Sequence, residues 1–167
     1  MIAKTYILSN LKSLDHSYRH AKTAKDAQFF AKLAILELCG WIEESMDDII
    51  LRWGRKQLKE TANRSYCEKD IVKRTYGFDY DGNFRSMVIR LLGIVTVEKI
   101  ERLIDPTVHD QMVLALAALK RQRDSEAHTH LKGMTRTINS PSVTITQFQP
   151  VYDGLIEFDR IIRVGKW

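Results

Sequence analysis

Several signatures that would settle the function of this chain at once are missing from it. Cysteine occurs only twice, at Cys39 and Cys67, too seldom for a disulfide framework. Cys39 also falls inside an apolar helical run, where a buried, reduced thiol is expected. The apolar runs around Leu33–Leu38 and Val113–Leu119 are far too short to span a bilayer. The opening residues Met1-Ile-Ala-Lys-Thr-Tyr lack the apolar stretch of a signal peptide. These absences predict a cytoplasmic protein with no membrane partner. No G-x-x-x-x-G-K-[ST] loop occurs, nor do the cysteine pairs or H-E-x-x-H pattern of familiar zinc sites. No cofactor or metal is therefore expected. No internal repeat, low-complexity tract or linker divides the chain, so residues 1–167 are read as one domain.

What remains is globular composition, with 44% hydrophobic and 28% charged residues. The formal net charge of +5 makes an anionic partner electrostatically welcome without naming one. Apolar residues recur at helical spacing almost throughout. Ile7, Leu8, Leu11, Leu14 and Tyr18 predict a helix from about Ala3 to His20. A long amphipathic helix follows from Lys25, capped near Thr23 and ending in the basic run Arg55-Lys56-Gln57-Leu58-Lys59. Gly40 marks a close helix contact or a slight bend within it. Glu68–Thr75 reads as a short helix and Tyr76–Asn83 as a plain connecting loop, rich in turn residues. Helical spacing resumes from Phe84 to Val95 and again over Val97–Ile104. Asp105-Pro106 then supplies an N-cap and a first-turn proline for the helix carrying Val108, Met112, Leu116 and Leu119. Between Gly133 and Thr146 the β-branched residues Thr137, Ile138, Val143, Thr144 and Ile145 flank a turn at Asn139–Ser142, which predicts a small hairpin or extended loop. A last helix is expected from roughly Gln149 to Val164. The sum is an all-α, up-and-down bundle of about five main helices with short extra ones.

One polar stretch stands out against this apolar periodicity: Lys120-Arg121-Gln122-Arg123-Asp124-Ser125-Glu126-Ala127-His128-Thr129-His130. An arginine presents a planar fork of donors to phosphate, and a histidine moves protons near neutral pH. Cleaving RNA without a metal needs a group to take the 2′-hydroxyl proton, one to protonate the leaving oxygen, and positive charge at the phosphorane. On a continuous helix Arg123 and His128 point about 140° apart, whereas Arg123 and His130 lie within about 20°, as do Arg121 and His128. A helix break or a dimer contact is the other way to bring Arg123 and His128 together. The same patch also reads as a solvated helix end favoured by the helix dipole. A metal site built on His128 and His130 with Asp124 or Glu126 is a further alternative, and His16 with His20 at i, i+4 is another. His16, His20 and His109 otherwise read as exposed polar residues. Glu37, set in an apolar run, must face solvent or find a partner. Trp41 and Trp53 read as core or dimer-interface residues, with core favoured.

The run Arg123-Asp124-Ser125-Glu126-Ala127-His128 resembles the R-x4-6-H signature of the HEPN superfamily of ribonucleases, with four residues between Arg123 and His128. In that family the motif follows a helix late in an all-α bundle, and one further helix closes the domain. The resemblance covers six to eight residues and implies a metal-independent endoribonuclease of toxin or phage-defence type. It implies a homodimer whose two motifs face one cleft, with RNA as substrate and an antitoxin or other defence protein as partner. By carry-over His128 is the acid/base, Arg123 holds the phosphate and Asp124 orients one of them. Lys120, Arg121, His130 and Lys132 then contact the substrate. Some members carry a modifiable tyrosine two residues after the histidine, where this chain has His130. From Lys120 to Arg136 five basic side chains stand against two acids, a balance suited to RNA phosphates. The alternative is a non-catalytic domain of the same architecture that binds RNA or a partner protein.

Overall fold

The computed structural model describes residues 2–127 and 138–165, and the described part is all-α. Helix α1 spans Thr5–Arg19 and α2 spans Ala24–Gln57. The Thr23 hydroxyl accepts from the Asp26 amide at 3.1 Å and donates to the Asp26 carboxylate at 2.8 Å, a reciprocal cap that starts α2. Next come α3 (Thr61–Tyr66), two π-helical turns (Cys67–Val72 and Tyr80–Arg85), α4 (Ser86–Leu92) and α5 (Ile94–Leu103). Helix α6 runs over Pro106–Ala127 and α7 over Pro141–Val164. The Asp105 carboxylate accepts from the amides of Thr107 (2.8 Å) and Val108 (3.1 Å), so Asp105 caps α6 as its sequence predicts.

The four long helices α1, α2, α6 and α7 pack on one another around a continuous apolar core. Each contributes a stripe at 3-4 spacing, such as Ile35, Leu38, Ile42 and Met46 on α2. On α7 the stripe runs through Thr144, Phe148, Val151, Leu155, Phe158 and Ile162. Helices α6 and α7 meet closely, because a Cβ on Gly154 would stand 2.6 Å from the Cβ of Met112. Any side chain at 154 would therefore push the two helices apart.

The segment before the last helix differs from expectation. Val143, Thr144, Ile145 and Thr146 are helical, and α7 begins at Pro141, eight residues before the predicted start at Gln149. No hairpin forms among the described residues. The β-branched residues carry strand propensity, but burial of Thr144 and Phe148 on the helical stripe outweighs it. Pro141 occupies the first turn, where a missing amide costs nothing. Pro150 lies inside the helix. The part of the predicted hairpin over 133–137 lies outside the described residues. Elsewhere the short helix expected over Glu68–Thr75 is an α-to-π run over Thr61–Val72, and Glu37 faces solvent, 3.4 Å from Asn10. Trp41 and Trp53 pack half-buried against the core, while both cysteines are buried and free. No helix among the described residues is long and apolar enough to cross a membrane.

One ionic network ties α2 to α7. Asp159 is 2% exposed and lies 3.3 Å from Arg52 on α2 and 3.1 Å from Arg163 on its own helix. Arg52 also pairs with Asp48 at 2.7 Å. A buried carboxylate needs such counter-charge, and removing it strands the partners. Asp159→Ala is expected to cost about 2–3 kcal/mol in urea unfolding, below the usual maximum because both arginines reach water. Arg163→Ala, at the wet end of the network, is expected to cost under about 1 kcal/mol. Equal losses for the two variants would show that burial does not decide the network's weight.

Candidate functional site

The buried stripe of α6 changes character partway along. Met112, Leu116 and Leu119 are fully buried, and the same 4-3 spacing then places Arg123 and Glu126 on that face. Core positions at the C-terminal end of α6 thus carry a cation and a carboxylate. The Arg123 side chain is 28% exposed and Glu126 only 5%. Charges at such depth are costly unless paired or used.

Arg123 is held from two sides. Its guanidinium carbon stands 5.4 Å from the centre of the Phe78 ring, within cation–π range. Its Nε lies 3.2 Å from Oδ1 of Asp124, a charge contact too far off-line to count as a hydrogen bond. The other oxygen of Asp124 accepts from Lys120 Nζ at 3.3 Å, so one carboxylate bridges two cations along the helix. Phe78 reaches this place because the 76–83 segment is a built corner. Asn83 Oδ1 accepts from the Asp79 amide (3.1 Å), Asn83 Nδ2 donates to the Tyr76 carbonyl (3.0 Å), and Asp79 Oδ1 accepts from the Gly82 amide (2.6 Å). Gly77 sits at φ +110°, a backbone that side chains disfavour. Expected to be a plain connection, this segment instead delivers a fully buried aromatic ring to the arginine.

Two clefts flank this end of α6. One, of about 230 Å³, is lined by Ile35, Arg121, Gln122, Ser125, Glu126 and Ile138. The other, of about 380 Å³, runs between the second π-helical turn and α6, with Lys120 and Arg121 on its wall. Arg121 borders both. Gln122 Oε1 and Glu126 Oε2 are buried with no hydrogen-bond partner among the described residues.

Of the residues expected at the site, Lys120, Arg121, Arg123 and Asp124 come together here, with Lys120 and Arg121 towards solvent and Arg123 inward. The helix runs unbroken through Arg123–Ala127, so no boundary divides that part of the motif. His128, His130 and Lys132 lie outside the described residues, as does any pairing of Arg123 with either histidine. The metal reading rests on those same histidines. Among the described residues no group of three or more histidine, cysteine or acidic side chains is arranged to hold an ion. His16 and His20 are exposed, their rings 4.2 Å apart.

Sequence reading missed two parts of the surroundings. Burial pushes the Cys39 thiol up to about 12, Arg123 pulls the other way, and Glu43 and Asp124 push with burial. The thiol is therefore no nucleophile at neutral pH, and the α6 motif lies within electrostatic reach of Cys39 on α2. The second part lies beside the N-terminal half of α6. Glu101 on α5 accepts from Tyr80 Oη (2.9 Å) and Arg85 Nε (2.6 Å). Burial raises the Glu101 carboxyl, but those hydrogen bonds outweigh it and hold the group below the usual range. Burial first, and then the bond to Glu101, push the Tyr80 phenol well up. His109, expected to be exposed, packs its ring edge-on against Tyr80 with centroids 4.7 Å apart. Tyr80 and Arg85 sit on a π-helical turn, which no sequence period announces. For Arg123 a signal did exist: the 112-116-119-123 spacing places it on the buried face.

Comparison with family models, with curated proteins and with solved structures finds no match to this chain.

The acidic face of α2 beside the motif yields a pH prediction. Burial first, then the charges of Glu43 and Glu44, push the Asp47 carboxyl up to about 6. The folded protein then holds this proton more tightly than the unfolded chain, so stability falls as pH rises from about 4 through about 6. Asp47→Asn removes the penalty. It is expected to stabilise by about 1 kcal/mol at pH 7.5, after allowing for solvent screening, and to change nothing near pH 3.5. Thermal melts at both pH values check this, and an equal effect at both would refute the assignment.

Proposed function

We propose that this protein is a metal-independent endoribonuclease of the HEPN type, working as a homodimer. The observation that carries the reading is the conversion of the α6 core stripe into Arg123 and Glu126, immediately before His128. A helix built only to pack would continue the stripe of Met112, Leu116 and Leu119 with another apolar residue. Here it spends a core position on a guanidinium, backs that group with Phe78, and sets it beside the Asp124 carboxylate. Such fixing is what a phosphate-stabilising arginine needs, since charge aimed in advance at the phosphorane costs no rearrangement during reaction.

In this reading Arg123 stabilises the negative charge that develops on the phosphate. Asp124 positions Arg123 and Lys120, and His128 exchanges the protons of the 2′-hydroxyl and leaving oxygen. Arg121, standing between the two clefts, joins Lys120, His130 and Lys132 in contacting the RNA backbone. Contacts to phosphate supply affinity and salt dependence rather than sequence choice. The defence role, with an antitoxin or similar partner, belongs to the same proposal.

Purified protein incubated with total RNA in excess chelator is expected to cleave it. Arg123→Ala and His128→Ala are each expected to lower the rate by about 100-fold or more. Asp124→Asn, which loosens rather than removes the cation, is expected to lose less. Undiminished cleavage without His128 would overturn the acid/base assignment. Salt-dependent RNA binding with no cleavage would favour a non-catalytic domain, and activity abolished by chelator would favour a metal enzyme.

A further inference from the structure

The net positive charge of the chain is not spread along it. Residues 52–74 carry eight basic and three acidic side chains, an excess of five that equals the excess of all 167 residues. Everything else, the cation-rich end of α6 included, therefore sums to zero. Part of the local charge is already paired. Arg52 meets Asp48 and Asp159, Lys73 meets Glu68 at 2.9 Å, and Arg74 meets Asp70 at 3.2 Å. Within the segment that leaves Arg55, Lys56, Lys59, Arg64 and Lys69 with only the Glu60 carboxylate to offset them. All five cations are exposed. The dipole of α2 favours Arg55 and Lys56 in its last turn, but it fades beyond that turn and explains neither Lys59 nor Lys69.

Two of these cations share a cleft. A cavity of about 300 Å³ opens where α3 and the first π-helical turn meet the end of α2, with Arg55, Thr61, Arg64 and Ser65 on its walls. A Cβ on Gly54 would stand 2.9 Å from the Cys67 sulfur, so the elements that carry the two arginines pack directly on each other. Arg64 is also tethered, because its Nε donates to the Leu58 carbonyl at 2.6 Å. Glu68, the one carboxylate lining the cleft among the described residues, is bonded to Lys73. Two guanidiniums and two hydroxyls around such an opening suit the oxygens of a phosphate, which accepts several charge-assisted hydrogen bonds at once.

The segment also leads to the candidate site. Beyond Lys73 and Arg74 comes Tyr76, 85% exposed, with its carbonyl fixed by Asn83 Nδ2 at 3.0 Å. Tyr76 is two residues, at most about 7 Å along the backbone, from Phe78, whose ring covers Arg123. An aromatic ring held in water beside phosphate-binding cations is a platform for an unstacked base. A duplex keeps its bases stacked on one another and cannot use it.

We propose that residues 52–76 form a binding surface for single-stranded RNA, with a backbone phosphate in the Arg55–Arg64 cleft and a base on Tyr76. The proposal rests on the ribonuclease reading for its choice of RNA, and it names the class of RNA that reaches Arg123. Chain connectivity sets Lys69, Lys73 and Arg74 between the cleft and the ring.

Fluorescence anisotropy of the full chain with a labelled single strand of about 12 nucleotides tests this. Methylating its 2′-hydroxyls prevents attack by those groups, so binding is read without cleavage. Arg55→Gln combined with Arg64→Gln is expected to raise Kd by about 10-fold or more. It should also flatten the slope of log Kd against log salt by about 1.4, the share of two phosphate contacts on a single strand. Lys12→Gln combined with Lys22→Gln removes the same charge from exposed positions elsewhere and is expected to leave both quantities unchanged. Tyr76→Ala is expected to raise Kd by about 5-fold or more with the slope unaltered, and to leave binding of a duplex unchanged. Arg55→Gln alone, expected to raise Kd by about 3-fold, carries the test if the double variant melts early. A Kd unmoved by the arginine changes, or moved as far by the lysine changes, overturns the proposal. So does binding to phosphatidylserine vesicles or to polyglutamate without binding to the RNA. Cleavage assays keep the two readings apart. Binding weakened by Arg55→Gln in a protein that cuts nothing upholds the surface and sinks the ribonuclease, whereas cleavage with KM unaltered by the arginine changes does the reverse.

Discussion

The architecture depends on how α6 packs against α7 and α2. Gly154 lets α7 approach Met112 so closely that no side chain could stand between them. Once Met112, Leu116 and Leu119 face inward, helical geometry leaves no choice for Arg123 and Glu126, which follow on the same face. The chain accepts two charged residues where apolar ones would pack better. Everything distinctive about the site descends from that constraint.

The surroundings of Arg123 accommodate this. Phe78 covers one face of the guanidinium, and Asp124 meets its edge while also holding Lys120. The corner that supports Phe78 is made by the side chains of Asp79 and Asn83 around Gly77, with a π-helical turn leading out of it. Tyr80, Arg85 and Glu101 then tie that turn to α5. Irregular backbone therefore serves the site at two removes. A rearranged corner would move Phe78 and leave the arginine to solvent.

Much of the helical plan was legible because it rests on periodicity, which local sequence carries. The boundaries at Thr23 and Asp105 were readable because capping is a contact within three residues. The start of α7 was not. Val143, Thr144 and Ile145 prefer strands in isolation, and only their burial against the other helices overrides that preference. Phe78 and His109 escaped for a related reason, since their partners stand 45 and 29 residues away along the chain. Nothing local distinguishes a loop that supports a site from a loop that merely connects.

The sequence by itself determined that this is an all-α chain with a cation-rich stretch late in its order, because helical period and residue chemistry are properties of neighbours. It also determined that Arg123 shares a helix with Lys120 and Asp124, and hence which groups can meet at one turn's distance. Only the tertiary structure decided that Arg123 is half-buried rather than solvated, that an aromatic ring lies over it, and that a Cβ at Gly40 would meet nothing among the described residues within 4 Å. Those facts depend on which faces of distant helices are brought together. That choice follows from the summed packing of the whole core, which no single stretch encodes.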